Sequence, residues 1–288
     1  MTSALNMKRL SLILLLIVSI ITITRGVKAL SDESNREHRD KSYVGFDRND
    51  YPGDESLPLL KKSFAFTGYW LNVPPGAREN SWIGKRALLR EAGLGFLVLF
   101  NGRLDAELKK APSAAELGKP DAAAAVAAAK REGFPPSTVI FLDQEEGGRM
   151  LPEQKAYIYA WVDGVNAGGF RAGVYCSGIP APEAGGRSVV TAEDIRESAQ
   201  GRKIVYWVTN DACPPSPGCV VPGKSLRPQQ SGVRFAEVWQ YAQSPKRKDV
   251  AAGCPKNYAP DGNCYAPGLG RILVDLNVAR TGDPSAGR

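Results

Sequence analysis

Thr138-Val139-Ile140-Phe141-Leu142-Asp143-Gln144-Glu145-Glu146-Gly147-Gly148 passes from apolar to acidic and ends in two glycines. Its first half has the length and β-branched content of a buried strand, and the glycine pair releases the chain into a loop. Side chains alternate along a strand, so Asp143 and Glu145 share one face, with Val139 and Phe141 beneath them. Glu146 falls on the other face, toward whatever helices surround the strand. Two carboxylates at the mouth of a buried strand raise each other's pKa, the condition for holding one protonated acid beside one ionised carboxylate. The competing explanation is a solvated strand end whose acids pair with Arg149.

Outward from this stretch the same pattern repeats. Apolar runs at 43–47, 64–70, 95–101, 171–176, 203–209, 235–241 and 271–276 read as seven further strands. Helical spacing predicts helices over 57–62, 79–92, 121–132 (capped by Asp121), 152–167 and 191–200. The alanines of 121–132 suit close packing against a neighbouring helix. Eight strands alternating with helices predict an α/β fold, a (β/α)8 TIM-like barrel. A doubly wound open sheet is the alternative. No helical pattern follows the sixth and seventh strands, where cysteine-bearing loops stand instead. A single domain is expected over 43–280, with a tail at 281–288.

Lys8 and Arg9 precede an apolar run over 10–24, and Val27-Lys28-Ala29 offers small residues for cleavage. This predicts a signal peptide over 1–29 and a charged, flexible leader over 30–42, hence a secreted or periplasmic protein. An uncleaved anchor is the alternative. Cleavage would remove four cations and no acids, so the formal charge of +7 falls to +3. A nucleic-acid partner thereby loses its main support. The exported chain is expected to be a monomer free of the membrane.

Five cysteines are present. Cys213 and Cys219 flank a proline-rich loop, and Cys254 and Cys264 bracket a second one. In an exported chain these spacings predict two local disulfides, 213–219 and 254–264, with Cys176 a buried free thiol. Zinc is disfavoured because neither pair is C-x2-C and no histidine lies nearby. The single histidine, His38, falls in the leader. A domain without histidine has no Ser-His-Asp or Cys-His mechanism, and no phosphate-binding glycine loop appears. Neither a metal nor an organic cofactor is implied, which leaves carboxylates and tyrosines for acid–base chemistry.

In a barrel of this kind, function gathers at the C-terminal ends of the strands. Those ends carry Asp47, Trp70, Asn72, Asn101, Asp143, Glu145, Tyr175, Trp207, Trp239, Tyr241, Asp275 and Asn277. Four acids with three tryptophans suit a sugar cleft: aromatic faces stack on pyranose rings, while carboxylates and amides bind hydroxyls.

Gly45-Phe46-Asp47, Asp143-Gln144-Glu145, Trp239-Gln240-Tyr241 and Val274-Asp275-Leu276-Asn277 occur in the order seen in family 25 glycoside hydrolases, the secreted lysozymes, which the chain resembles. The stretch from Phe66 through Arg103 is more similar to a less characterised branch of glycoside-hydrolase-like secreted bacterial barrels. The resemblance spans about residues 43–279 and implies an exported glycosidase acting on an N-acetylated glycan such as peptidoglycan. It implies Glu145 as general acid and Asp143 as stabiliser of the oxocarbenium-like transition state or orienter of the substrate acetamido group. It places Asp47 and Asp275 at the reacting sugar, Tyr241 in hydrogen bonding near it, and Trp239 in the wall. Gln144 departs from the apolar residue usual in the lysozymes. A non-catalytic glycan-binding or envelope protein on the same barrel is the alternative.

Overall fold

The computed structural model describes residues 41–221, 226–244, 250–256 and 258–288. The expected signal peptide and nearly all of the leader lie outside these. The barrel strands are β1 (Tyr43–Asp47), β2 (Phe66–Trp70), β3 (Gly95–Asn101), β4 (Val139–Asp143), β5 (Arg171–Ser177), β6 (Val205–Thr209), β7 (Val238–Ala242) and β8 (Asp275–Ala279). They close in the order β1-β8-β7-β6-β5-β4-β3-β2. The helices are α1 (Leu57–Ser63), α2 (Arg86–Glu91), α3 (Asp105–Leu108), α4 (Ala114–Arg131), α5 (Pro152–Ala167) and α6 (Thr191–Glu197). The fold is thus a TIM-like α/β barrel whose later helices give way to disulfide-pinned loops. No helix among the described residues is long and apolar enough to cross a membrane.

Seven strands run parallel, but β8 is antiparallel to both neighbours, β1 and β7. The expected eighth strand at 271–276 is split: 271–273 lie in the second arm of a hairpin, Tyr265–Ala266 with Leu269–Leu273, and 275–276 open β8. Among the described residues, no helix carries the chain back down after β7. The chain therefore stays at the mouth and enters the last strand from above. Asp275 consequently reaches the mouth as the first residue of its strand, and Asn277 lies one inward-facing step deeper.

Three helices differ from their expected bounds, the one expected over 191–200 ending at Glu197. Residues 79–85 are not helical, because Asn80 works against the helix on both sides: it accepts from the Trp82 N–H at 3.0 Å and donates to the Trp70 carbonyl at 2.8 Å. Helix α4 starts at Ala114 and contains Pro120, so Asp121 lies inside it instead of capping it. Asp121 instead accepts from Arg103 Nε at 2.6 Å and from the Tyr157 hydroxyl at 2.9 Å. The small residues of α4 permit close approach to α5: a Cβ on Gly118 would sit 2.6 Å from the Tyr157 carbonyl oxygen.

The disulfides are Cys213–Cys254 and Cys219–Cys264, not the local pairs expected from spacing. Each joins the loop after β6 to the loop after β7, with Cα separations of 5.6 and 5.2 Å. The loops lie side by side: the Cys213 N–H donates to the Val250 carbonyl at 3.3 Å, and Gly253 passes close to the Cys213 carbonyl. Contact between the loops, not distance along the chain, decides the pairing. Cys176 is buried and free.

Residues 281–288 are packed structure, unlike the tail expected from sequence. Ser285 is fully buried. Its N–H donates to the Phe96 carbonyl at 2.9 Å, its hydroxyl accepts from the Val98 N–H at 2.9 Å, and its carbonyl accepts from the Val139 N–H at 2.8 Å. The segment is inserted between the bases of β3 and β4, below the point where direct pairing begins at Val98 and Ile140.

Candidate active site

A cleft of about 390 Å3 opens at the mouth of the barrel. Every strand contributes one inward-facing residue to it: Asp47, Trp70, Leu99, Asp143, Tyr175, Trp207, Gln240 and Asp275 in strand order. Period-two alternation along eight converging strands produces this ring. Gly68 makes room for it, since a Cβ there would lie 2.7 Å from the Asp47 Cβ.

Asp47 is held from two strands. Its Oδ1 accepts from Asn277 Nδ2 at 2.6 Å and from Gln240 Nε2 at 3.0 Å. Gln240 Oε1 in turn accepts from the Tyr175 hydroxyl at 2.7 Å. Asp275 stands opposite Asp47 in the β1–β8 register and accepts from the Ser244 N–H. Trp207 stacks edge-on to Tyr175 at 4.8 Å and to Phe141 at 5.7 Å. Trp70 donates its indole N–H to the Arg48 carbonyl at 3.1 Å.

Burial dominates the electrostatics. It pushes Asp47 up to about 6, with a smaller contribution from Glu145, while the bonds from Asn277 and Gln240 hold it down. Burial, then the charges of Glu145 and Asp47, push Asp143 well above the carboxylate range. Burial and Asp47 do the same to Asp275, against the Ser244 N–H. Three polar atoms of cleft-lining side chains are buried without a hydrogen-bond partner among the described residues: Asp143 Oδ2, an acceptor when ionised, and the donors Trp207 Nε1 and Arg48 Nε.

Glu145 lies two residues past the end of β4, exposed, and lines the cleft with Asp143. Its loop is tied to α6. The Gly148 N–H donates to Thr191 Oγ1 at 2.8 Å and the Met150 N–H to Asp194 Oδ2 at 2.9 Å. Arg149 is engaged by Glu183 at 2.6 Å and Asp194 at 3.0 Å. Glu146 points away from the cleft, accepting from the Asp105 N–H at 2.8 Å and Gln154 Nε2 at 2.7 Å.

Of the sequence-derived residues, Asp47, Trp70, Asp143, Glu145, Tyr175, Trp207 and Asp275 line one cleft, and Asn277 supports it through Asp47. Four do not line it. The Asn72 side chain donates to the Asn101 carbonyl at 3.0 Å and accepts from the Asn101 N–H at 2.7 Å, while Asn101 Nδ2 donates to the Val73 carbonyl at 2.9 Å, and these bonds join the ends of β2 and β3. Trp239 and Tyr241 face outward on β7, because Gln240 between them faces in. Trp239 donates to the Asn210 carbonyl at 2.9 Å and Tyr241 to the Val220 carbonyl at 2.8 Å. They fill the space under the disulfide loop where a helix would otherwise pack. Gln240 and Leu99 are the residues missed from the ring. A polar Gln240 between two aromatics on a buried strand was the available signal, since such a group needs a partner inside. Among the described residues, no group of three or more potential metal-ligating side chains forms.

Barrel and cleft together form a TIM-like barrel with an acid-lined concavity at the C-terminal ends of its strands. Residues 82–212 match the family model of the Rv2525c-like, glycoside hydrolase-like domain, which bears out the resemblance read from the sequence. The matched segment includes Asp143, Glu145, Tyr175 and Trp207. No curated protein sequence matches the chain. Among solved structures, an uncharacterized B. stearothermophilus protein is similar at 20% identity and a TM-score of 0.51, over 82% of this chain and 95% of that one. The Tat-secreted protein Rv2525c of Mycobacterium tuberculosis is similar at 12% identity and a TM-score of 0.50, over 83% and 94%. These likenesses concern the fold.

Proposed function

We propose that the protein is an exported glycoside hydrolase that cleaves an N-acetylated glycan, most directly peptidoglycan, by carboxylate acid–base chemistry. The observation that carries this reading is the convergence of Asp47, Asp143, Glu145 and Asp275 on one cleft. Glycosidic cleavage needs an acid to protonate the leaving oxygen and a carboxylate against the oxocarbenium-like centre. In this reading Glu145, on the solvent side, delivers the proton. Asp143, deeper and without a partner on Oδ2, faces the reacting sugar. A carboxylate whose pKa is pushed up by burial is a stronger base once ionised, so it interacts more strongly with charge developing beside it.

Two of the unpartnered atoms support the N-acetyl preference. Trp207 Nε1 donates and Asp143 Oδ2 accepts, a set complementary to an amide C=O and N–H, with apolar Leu99 also in the wall. Asp47 and Asp275 line the same subsite and, with Gln240 and Tyr175, bind sugar hydroxyls. Export is supported by the N-terminal apolar segment and by two disulfides.

One observation favours the second reading, a glycan-binding protein without hydrolysis. Glu145 sits on a loop beyond the strand, less rigidly placed by the barrel than the other acids. Purified peptidoglycan separates the two. Appearance of new reducing ends with saturable binding supports the hydrolase; saturable binding without reducing ends supports the binding protein.

A further inference from the structure

The other end of the barrel carries a second concavity. The 281–288 segment covers the base on the side of β2, β3 and β4, through Ser285 and Arg288. Where β5, β6 and β7 begin and β8 ends, a groove of about 970 Å3 remains open. Its lining holds five cations, Arg171, Arg196, Arg202, Lys203 and Arg280, against one acid, Glu237. Two of the cations are matched: Arg202 forks onto Asp163 at 2.9 Å through both Nε and Nη2, and Arg280 lies 4.0 Å from Glu237. Arg171, Arg196 and Lys203 are exposed and form no ion pair among the described residues.

Two of these three are on firm supports. Arg171 opens β5, on the same face as Tyr175, and so points toward the barrel axis at the base. Arg196 lies over the Phe235 ring at 4.2 Å, which fixes the guanidinium plane while leaving its edge donors available. Apolar lining from Ile204, Val205 and Phe235 is interleaved with the charges. A bare phosphate chain has no use for that apolar surface. A sugar ring bearing a carboxylate uses both, its C–H face against the apolar side chains and its acid on the cations.

We propose that this groove is a second glycan site that takes an acidic, carboxylate-bearing polysaccharide through Arg171, Arg196 and Lys203. It lies at the opposite pole from the acid-rich cleft and does not depend on chemistry there. Its role is to hold the protein on an acidic matrix while the cleft works on its own glycan.

The test is a titration of the mature protein with an oligogalacturonate, its neutral methyl ester and a polyphosphate of matched charge, at physiological ionic strength. Saturable binding of the oligogalacturonate is expected, with the ester at least about tenfold weaker. Arg171→Gln and Lys203→Gln each weaken it by about tenfold, the scale of one lost charge-assisted contact. Asp143→Asn in the far cleft leaves it unchanged. Equal affinity for the ester, polyphosphate binding as tight as the oligogalacturonate, unchanged affinity in both groove variants, or no saturable binding would each overturn the proposal. None of these results bears on peptidoglycan cleavage, which is read separately.

Discussion

Asp47 on the first strand and Asp275 on the last stand directly opposite each other where the barrel closes, 228 positions apart in the chain. Closure thus brings two acids together, and burial pushes both upward in pKa. A carboxyl with a raised folded pKa holds its proton more tightly folded than unfolded. Stability from that group is present below the unfolded pKa and is lost as pH rises through the folded one. For Asp47 the window runs from about pH 4 to above about pH 6. Denaturant unfolding across this range should show stability falling with pH, by on the order of 3 kcal/mol from Asp47 alone. Asp47→Asn keeps the Oδ1 acceptor and should flatten that part of the curve. A wild-type curve that rises over the same window would contradict the assignment.

Asn277 supplies the larger of the two hydrogen-bonding influences that hold Asp47 down, and Gln240 the smaller. Asn277→Ala should therefore move the Asp47 titration above about 6, and Gln240→Leu should move it less. Carboxyl titration by NMR or infrared spectroscopy reads both shifts. Identical titration in the two variants and the wild type would show that these amides do not set the charge of Asp47.

Gly68 is small because Asp47 occupies the space a side chain would need. Gly68→Ala forces either strand or carboxylate to move, and overpacking of this kind costs about 1–3 kcal/mol. The unfolding midpoint should drop accordingly, while Gly76→Ala, with open space around it, changes stability through its backbone alone. Equal midpoints for Gly68→Ala and the wild type would argue against the tight approach.

Much of the barrel was legible because strand length, apolar content and alternation are local properties. That is why β3 and β5, and Asp143 and Tyr175 upon them, follow from the chain read in order. What depends on three-dimensional contact was not legible. The reversal of β8 goes with a hairpin and, among the described residues, no helix after β7, features that carry no strong periodic signal. The outward placement of Trp239 and Tyr241 follows from the one-residue register of β7, where three large side chains in a row leave the facing ambiguous. Disulfide pairing is set by proximity in space between two loops, which spacing along the chain does not carry.

The two disulfides clamp the loops after β6 and β7 to each other over chain separations of 41 and 45 residues. Non-reducing peptide mapping should recover Cys213 linked to Cys254 and Cys219 linked to Cys264. Replacing Cys219 and Cys264 together by serine should destabilise the fold by about 2–4 kcal/mol, since each bridge closes a long loop of the unfolded chain. Recovery of 213–219 and 254–264 peptides would restore the local pairing.

In the proposed function, Glu145 gives its proton to a glycosidic oxygen. This is tested by muropeptide release from purified peptidoglycan by the wild type and by Glu145→Gln, with folding of both verified by circular dichroism and products identified by mass spectrometry. Release by the wild type, and a rate lower by about two to four orders of magnitude in Glu145→Gln, is the expected result. Equal release by the two proteins would move the acid role away from Glu145. No release by either would contradict hydrolysis and leave the cleft as a binding site.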